Sequence, residues 1–155
     1  QAEDENDHKS DGVTADMESL RQRFSQVLSC YRHGVKVVKV SCSGRRLLRT
    51  LQIDKSNRIG VFSESMHKNC VSEMEKRFVA VSDIRSIKLG YNSLQFTRMI
   101  DVTKENEIVP QLELCASVVF TKRQLSLIFP SEVARNEFVL LARSMVRGFG
   151  VQTPP

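Results

Sequence analysis

Hydrophobic residues recur every three or four positions near both ends of the chain, which predicts two amphipathic helices. The first covers residues 14–32 and the second residues 131–148. Pro130 cannot continue a strand, and the Ser131 side chain can accept a hydrogen bond from the free N–H groups of a first helical turn. The apolar positions are Met17, Leu20, Phe24, Val27, Leu28 and Tyr31 in the first helix, and Ala134, Phe138, Leu141, Met145 and Phe149 in the second.

Between the two helices the pattern changes to β-branched runs and strict alternation, which predicts strands. Polar turn residues separate these runs, for example Ser43-Gly44 and the segment 54–57. The predicted strands are 35–42, 46–53, 58–63, 78–81, 86–89, 112–120 and 124–129. Seven antiparallel strands followed by a helix predict a mainly β fold with α, a sandwich or partly open barrel that the C-terminal helix closes at one end.

The same pattern predicts one domain and two tails. Residues 1–13 are polar and acidic, so they cannot bury enough apolar surface to offset their chain entropy, and we expect a disordered tail. Residues 14–149 form the domain, with the N-terminal helix as an addition to the β fold, and residues 150–155 form a short C-terminal tail.

Two longer polar segments, 64–76 and 91–111, are predicted as loops. A long loop in a small domain is either functional or mobile. Met99, Ile100 and Ile108 are apolar residues in the second loop. Such residues either pin a loop to the core or contact a partner, and these three are the candidates for partner contact.

Composition adds a charge asymmetry to this picture. The chain has 155 residues, is 41% hydrophobic and 26% charged, and has a net charge of +5, which is ordinary for a globular protein. Residues 1–20 hold seven carboxylates against Lys9 alone, a charge of −6, so the remainder carries +11. A basic body favours anionic partners such as lipid headgroups, and the alternative is a simple solvated surface.

Candidate chemistry is sparse. The four cysteines form no CxxC pair, and the three histidines are scattered, so no metal site and no cofactor is predicted. The sequence has no GxSxG, P-loop or HExxH motif, and we expect no enzyme and no small-molecule substrate. The basic stretches lack interleaved aromatic residues, so nucleic acid is not an expected partner. Cysteines without disulfide spacing favour an intracellular location.

The order of these elements resembles a pleckstrin-homology (PH) domain, especially the type at the front of phosphoinositide-specific phospholipases C. The resemblance covers about residues 20–149. The matching motifs are Val38-Lys39-Val40, Arg45-Arg46, Leu51-Gln52, Val81-Ser82-Asp83-Ile84, Ile87-Lys88-Leu89-Gly90, Ser117-Val118-Val119-Phe120, Leu125-Ser126-Leu127-Ile128 and Pro130-Ser131 through Phe138.

This resemblance implies a lipid-headgroup site at the open end of the barrel. Lys39 matches the family's lysine at the end of the first strand, and Arg45, Arg46 and Lys88 are the further candidates. Lys36 and Arg49 would add charge if they face the same side. Leu47, however, stands about where the family's ligand-facing arginine belongs, and a leucine cannot bind a phosphate. The implied phosphoinositide site is therefore degenerate.

Chain size, the acidic tail and the degenerate basic motif also resemble the inner membrane complex sub-compartment proteins of apicomplexan parasites, and next the acylated PH protein of micronemes. This resemblance implies a non-enzymatic scaffold or adaptor on the cytoplasmic face of a membrane, the inner membrane complex. Acyl chains attached upstream of Gln1 would hold it there, and protein–protein contacts would be its function. The alternative is a PH domain that binds anionic lipid, either phosphatidic acid or a phosphoinositide. The protein partner and the oligomeric state stay open.

Overall fold

The chain folds as one antiparallel sheet of seven strands with three α-helices. The computed structural model describes residues 2–64 and 77–147, with side chains from Met17 onward in the first helix. The strands are β1 (Val35–Val40), β2 (Arg46–Ile53), β3 (Arg58–Phe62), β4 (Val79–Ala80), β5 (Ile84–Leu89), β6 (Cys115–Phe120) and β7 (Gln124–Ile128). The helices are α1 (Ala2–His33), α2 (Leu94–Val102) and α3 (Glu132–Val146).

The strand order is β4-β3-β2-β1-β7-β6-β5, so β1 lies in the middle between β2 and β7. A short 3-10 helix, Val81–Asp83, connects the two edge strands β4 and β5. Because neighbouring strands are antiparallel, the β1–β2, β3–β4 and β6–β7 connections all lie at one end of the sheet. Helix α1 enters β1 at the opposite end, and α3 leaves β7 there.

All seven predicted strands are present, and the C-terminal helix follows them as predicted. The strands form one continuous open sheet rather than two separate sheets. Ser131 is the N-cap of α3, where its Oγ accepts a hydrogen bond of 3.1 Å from the Ala134 N–H. The predicted end of this helix at residue 148 and the tail at 150–155 lie outside the described residues.

Three segments differ from the sequence prediction, and one of them is Leu112–Leu114, which forms a 3-10 helix rather than the start of a strand. Residues 91–111 are not all loop, because α2 forms within them and Ser93 caps it by accepting a hydrogen bond from the Phe96 N–H. Helix α1 begins at Ala2 rather than at residue 14, and so runs through the segment predicted as a disordered acidic tail. Once a helix has formed, each added residue gains a hydrogen bond, and carboxylates near the N-terminus favour the helix dipole. The loop predicted at 64–76 lies, beyond Glu64, outside the described residues.

The main core lies on the inner face of the sheet, under α3 and the end of α1. Phe138 of α3 is fully buried at its centre. Its ring centroid lies 5.4 Å from that of Tyr31 on α1 and 5.2 Å from that of Phe129, which follows β7. Aromatic pairs at these separations contribute beyond simple area burial. The first and last helices are therefore joined through one aromatic cluster.

A second, smaller core lies on the outer face, where α2 covers the middle of the sheet. Its buried members are Val40, Phe96, Met99, Cys115 and Ile128. The β1–β2 turn packs against the same helix, and Gly44 there has φ +87°. A Cβ on Gly44 would lie 2.6 Å from the backbone carbon of Arg98 in α2. Only glycine fits this turn, both for its φ and for its space.

Candidate functional site

The end of the sheet that carries the β1–β2 turn also carries Lys39. In the strand register Lys39 lies beside Leu47 of β2 and Leu127 of β7. Leu127 belongs to the inner core, so the Lys39 side chain leaves β1 on the inner face, where it is half-buried. The register also places Leu47 directly opposite Lys39 on this inner face. A leucine thus occupies the position where the family resemblance predicts an arginine.

Three arginines approach Lys39 from other elements. Arg49 lies opposite Val37 on the inner face of β2, Arg123 lies in the β6–β7 turn, and Arg77 lies two residues before the start of β4. The Arg123 Nη1 donates a hydrogen bond of 3.5 Å to the Arg77 carbonyl oxygen, which ties the two connections together. We name this set, Lys39, Arg49, Arg77 and Arg123, the cationic mouth.

The positive charges of the cationic mouth act on one another. Partial burial lowers the pKa of Lys39, and the positive charges of Arg123, Arg77 and Arg49 lower it further. Burial also lowers the pKa of Arg123, with Arg77 adding to the effect. Like charges at close range disfavour each other's charged form. A bound anion would relieve this repulsion.

Within the described residues, no carboxylate forms an ion pair with the cationic mouth. The ion pairs there join Arg23 to Glu137 at 2.8 Å, Lys36 to Glu64 at 3.6 Å and Arg58 to Asp54 at 2.8 Å. The mouth therefore presents guanidinium and ammonium donors that form no ion pair with a carboxylate of the described residues. Such donors form charge-assisted hydrogen bonds with phosphate or carboxylate oxygens.

The other residues predicted for a headgroup site lie elsewhere. Arg46 points along the outer face, where its guanidinium donates to the Ile108 carbonyl oxygen at 2.9 Å and to the Thr103 Oγ1 at 3.0 Å. Arg45 is exposed in the β1–β2 turn. Lys88 is exposed on β5, opposite Ser117, whose side chain bonds Ser126 beneath α2 on the outer face. Of the four predicted cations, the structure brings only Lys39 into the mouth.

The three predicted partner-contact residues have different exposures. Met99 is fully buried in the outer core, so its side chain pins α2 to the sheet. Ile100 is 39% exposed and Ile108 is 85% exposed. Only Ile100 and Ile108 are accessible to a partner.

Arg77 and Arg123 are the mouth residues that sequence reasoning missed. They lie far from Lys39 in the sequence, and only the closure of the sheet brings them beside it. The only local signal for Arg123 was the cationic turn Thr121-Lys122-Arg123 between two predicted strands. Arg77 precedes a two-residue strand, and no local pattern marks it.

The part of the chain that the structure describes contains neither a metal site nor a membrane-spanning helix. No three His, Cys, Asp or Glu side chains there lie close enough together to hold a metal ion. Among the described helices, none combines the length and the apolar character that a membrane crossing requires.

Comparison with known proteins gives structural neighbours. No protein-family model matches the chain, and no curated protein matches its sequence. Inner membrane complex sub-compartment protein 3 from Toxoplasma gondii superposes with a TM-score of 0.53 at 13% identity, over 83% of this chain and 86% of that one. Sub-compartment protein 1 from the same organism gives 0.54 at 17% identity, over 81% and 92%. The N-terminal PH domain of human ARAP2 gives 0.49 at 15% identity, over 79% and 84%.

At these identities the likeness establishes the fold. The seven antiparallel strands and the C-terminal helix agree with the predicted architecture. The resemblance to the phospholipase C type stays a prediction. The chain has a pleckstrin-homology-like fold, similar in structure to the inner membrane complex sub-compartment proteins.

Proposed function

We propose that the chain is a non-enzymatic, membrane-peripheral scaffold or adaptor whose cationic mouth contacts an anionic lipid surface. The observation that carries this proposal is the convergence of Lys39, Arg49, Arg77 and Arg123 with no described carboxylate beside them. A membrane surface with anionic headgroups attracts such a cluster with about 1 kcal/mol per cation.

The proposal includes low headgroup selectivity. Leu47 stands opposite Lys39 and offers no hydrogen bond, so one side of the mouth cannot orient a phosphorylated ring. Binding that is mainly electrostatic follows the charge density of the membrane rather than the identity of one headgroup. In this sense the phosphoinositide site is degenerate, and the fold serves mainly as a platform for protein contacts.

Stable attachment of the chain to a membrane requires binding free energy from a second source besides the cationic mouth. Four cations give a salt-sensitive contact, and one myristoyl chain alone gives only marginal binding, but the two together hold a protein on a membrane. The proposal therefore keeps an acyl chain attached upstream of Gln1. The structural neighbours are named as inner membrane complex proteins, which supports the same location for this chain, with exposed Ile100 and Ile108 as candidate protein contacts.

Vesicle sedimentation tests the lipid contact. The unlipidated chain is mixed with phosphatidylcholine vesicles that contain phosphatidylserine, phosphatidic acid or a phosphoinositide at matched surface charge. We expect similar binding to all three and loss of binding at high salt. The Arg77→Ala/Arg123→Ala variant should bind about 30-fold more weakly, since two cations contribute about 2 kcal/mol.

Arg143→Ala provides the matched control, because Arg143 is exposed on α3 and is not one of the cationic-mouth residues. This variant should bind like the wild type. If the wild-type chain binds no anionic vesicle, or if the mouth variant binds as well as the wild type, the proposal is wrong.

The same experiment examines a second candidate function, a selective sensor of anionic lipid. The partial burial of Lys39 favours it, because a half-buried ammonium surrounded by three cations is placed to bind one phosphate group within the mouth. A selective sensor would bind phosphatidic acid or one phosphoinositide at least about tenfold more tightly than phosphatidylserine at matched charge. Uniform binding would reject it.

A further inference from the structure

Strand β5 lies at one edge of the sheet, and within the described part of the chain its outer side has no partner strand. The strand order ends in β6-β5, so β5 pairs with β6 on one side only. The other edge strand, β4, has two residues, whereas β5 has six, Ile84–Leu89. An unpaired strand of this length is a template on which another extended segment can pair.

The register of β5 shows which backbone groups face the free side. Gly90, which follows β5, donates a backbone hydrogen bond of 2.9 Å to the Cys115 carbonyl oxygen, and β5 and β6 pair in the same register. Hydrogen-bonded and non-hydrogen-bonded positions alternate along antiparallel strands. The backbone of Lys88 therefore bonds with β6, whereas the N–H and C=O groups of Ile87 and Leu89 point away from β6. Within the described residues, no backbone group bonds Ile87 or Leu89 on that side.

A groove lies beside this edge, between β5 and the C-terminal end of α3. It has a volume of about 180 Å³. Ile84 and Ile87 of β5 and Val146 of α3 line it with apolar surface, and Arg85 and Arg147 line it with guanidinium groups. Side chains of a strand alternate between the two faces of a sheet, so every second side chain of a segment paired with β5 would face this groove.

Positive charge lies on both sides of the β5 edge. Lys88 is exposed on the outer face, and Arg147 is exposed beside the groove. Neither forms an ion pair with a carboxylate of the described residues. Arg85 differs, because its Nε donates to the Thr121 Oγ1 at 3.0 Å, and that hydroxyl donates to an Asp83 carboxylate oxygen at 2.6 Å. Lys88 and Arg147 thus present unpaired charge on either side of the free edge.

These charges disfavour one occupant of the edge and favour another. Two copies of β5 paired edge to edge would bring the Lys88 and Arg85 side chains of one copy close to those of the other, and like charges on paired strands destabilise the pair. An extended segment with acidic side chains meets complementary charge instead, from Lys88 on one face and Arg147 on the other. Residues 148–155, which follow α3, contain no acidic side chain and do not match this charge.

We propose that the β5 edge binds an acidic, extended segment of a partner protein, which adds one strand to the sheet. The backbone of this segment pairs with Ile87 and Leu89, and its acidic side chains contact Lys88 and Arg147. Main-chain hydrogen bonds give such a complex its affinity, and alternate side chains give it selectivity. The site shares no residue with the cationic mouth, so it does not depend on lipid binding.

Fluorescence anisotropy tests the site with a labelled peptide of about eight residues, in which glutamate and valine alternate. The wild-type chain should bind this peptide saturably. The same peptide with lysine in place of glutamate should not bind, because its charges repel those of the edge. A glutamate–valine peptide with a central proline should bind at least about tenfold more weakly, since proline cannot donate to a strand ladder. Lipid is absent from this assay, so its result is separate from that of the vesicle experiment.

Two variants of the chain test the backbone contact and the charge contact. Leu89→Pro removes an N–H that points away from β6 and should weaken binding at least about tenfold, whereas Leu89→Ala removes the same side chain and keeps that donor. Lys88→Glu should weaken binding about tenfold, because it places acid beside acid. Lys55→Glu makes the same charge change in the exposed β2–β3 turn and should bind like the wild type. A circular dichroism melt of each variant shows that its domain remains folded.

Amide hydrogen exchange in the wild-type chain detects the added strand directly. Saturating glutamate–valine peptide should slow exchange at Ile87 and Leu89 at least about tenfold, because their N–H groups gain acceptors. Exchange at Lys88 should change less, since its N–H already bonds with β6.

Three results would overturn the proposal. A wild-type chain that does not bind the acidic peptide up to about 1 mM has cations that only protect the edge from pairing. Equal binding of the glutamate and lysine peptides excludes recognition by charge. Unchanged exchange at Ile87 and Leu89 in the complex places the bound peptide elsewhere.

Discussion

Removing the Phe138 ring tests whether the contact between the first and last helices stabilises the fold. Phe138→Ala deletes a fully buried ring whose centroid lies within 5.4 Å of two other aromatic centroids. A buried Phe→Ala change costs about 3–5 kcal/mol through lost transfer free energy and the cavity left behind. The two ring pairs place the expected loss in the middle or upper part of this range, about 4 kcal/mol.

Urea unfolding followed by far-UV circular dichroism measures this loss. The midpoint should fall while the slope stays constant, and the melting temperature should fall by about 8–16 °C for a domain of this size. Val133→Ala is the control in the same helix, because Val133 is 63% exposed and the change should cost less than about 0.5 kcal/mol. A loss below about 2 kcal/mol for Phe138→Ala would show that the aromatic cluster does not hold the helices together.

Three further changes test single features of the fold. Gly44→Ala should destabilise the domain by about 2–4 kcal/mol in urea unfolding, because φ there is positive and the added Cβ meets the α2 backbone at Arg98. Ser131→Ala should cost about 1 kcal/mol, since the Ala134 N–H loses its cap. Burial and the nearby Glu137 carboxylate raise the pKa of Tyr31. The unfolded chain therefore ionises this tyrosine first, and stability should fall as pH rises above about 10.

Each of these three predictions has an experimental outcome that would contradict it. An unchanged unfolding midpoint for Gly44→Ala would mean that the turn can move away from α2. A Ser131→Ala loss below about 0.2 kcal/mol would mean that water replaces the cap at no cost. For the alkaline effect, Tyr31→Phe is the comparison, and it should reduce the loss of stability between about pH 9 and pH 11. An equal loss in both proteins would assign the effect to other groups.

The strands were predictable from the sequence because each is a local pattern bounded by a turn. The alternation in residues 112–120 and 124–129, for example, predicts which side chains enter the inner core, and Ala116, Val118 and Leu127 lie there. Helix α2 was missed because it has only nine residues and its polar and apolar positions are mixed. Its one clear local signal was Ser93 at the N-cap position.

The candidate site was less predictable because it has no local sequence pattern. Lys39 and Leu47 were identified from the family resemblance of the first hairpin, and the register places them opposite each other. Arg123 and Arg77 join them only because β7 pairs with β1 and β3 with β4, which no spacing along the chain shows. Arg46 instead donates a hydrogen bond to the Ile108 carbonyl oxygen in the segment after α2, and the sequence did not predict where this segment lies.

The pairing of β1 with β7, and of Tyr31 with Phe138, has a consequence for synthesis on the ribosome. The partners of β1 and α1 in these contacts are β7 and α3, which are translated last. The nascent chain can close its first hairpins early, but it has no complete core until α3 has left the exit tunnel. During translation the inner faces of β1 and β2 therefore stay open to chaperones, and a protein fused closely behind α3 would delay the final step.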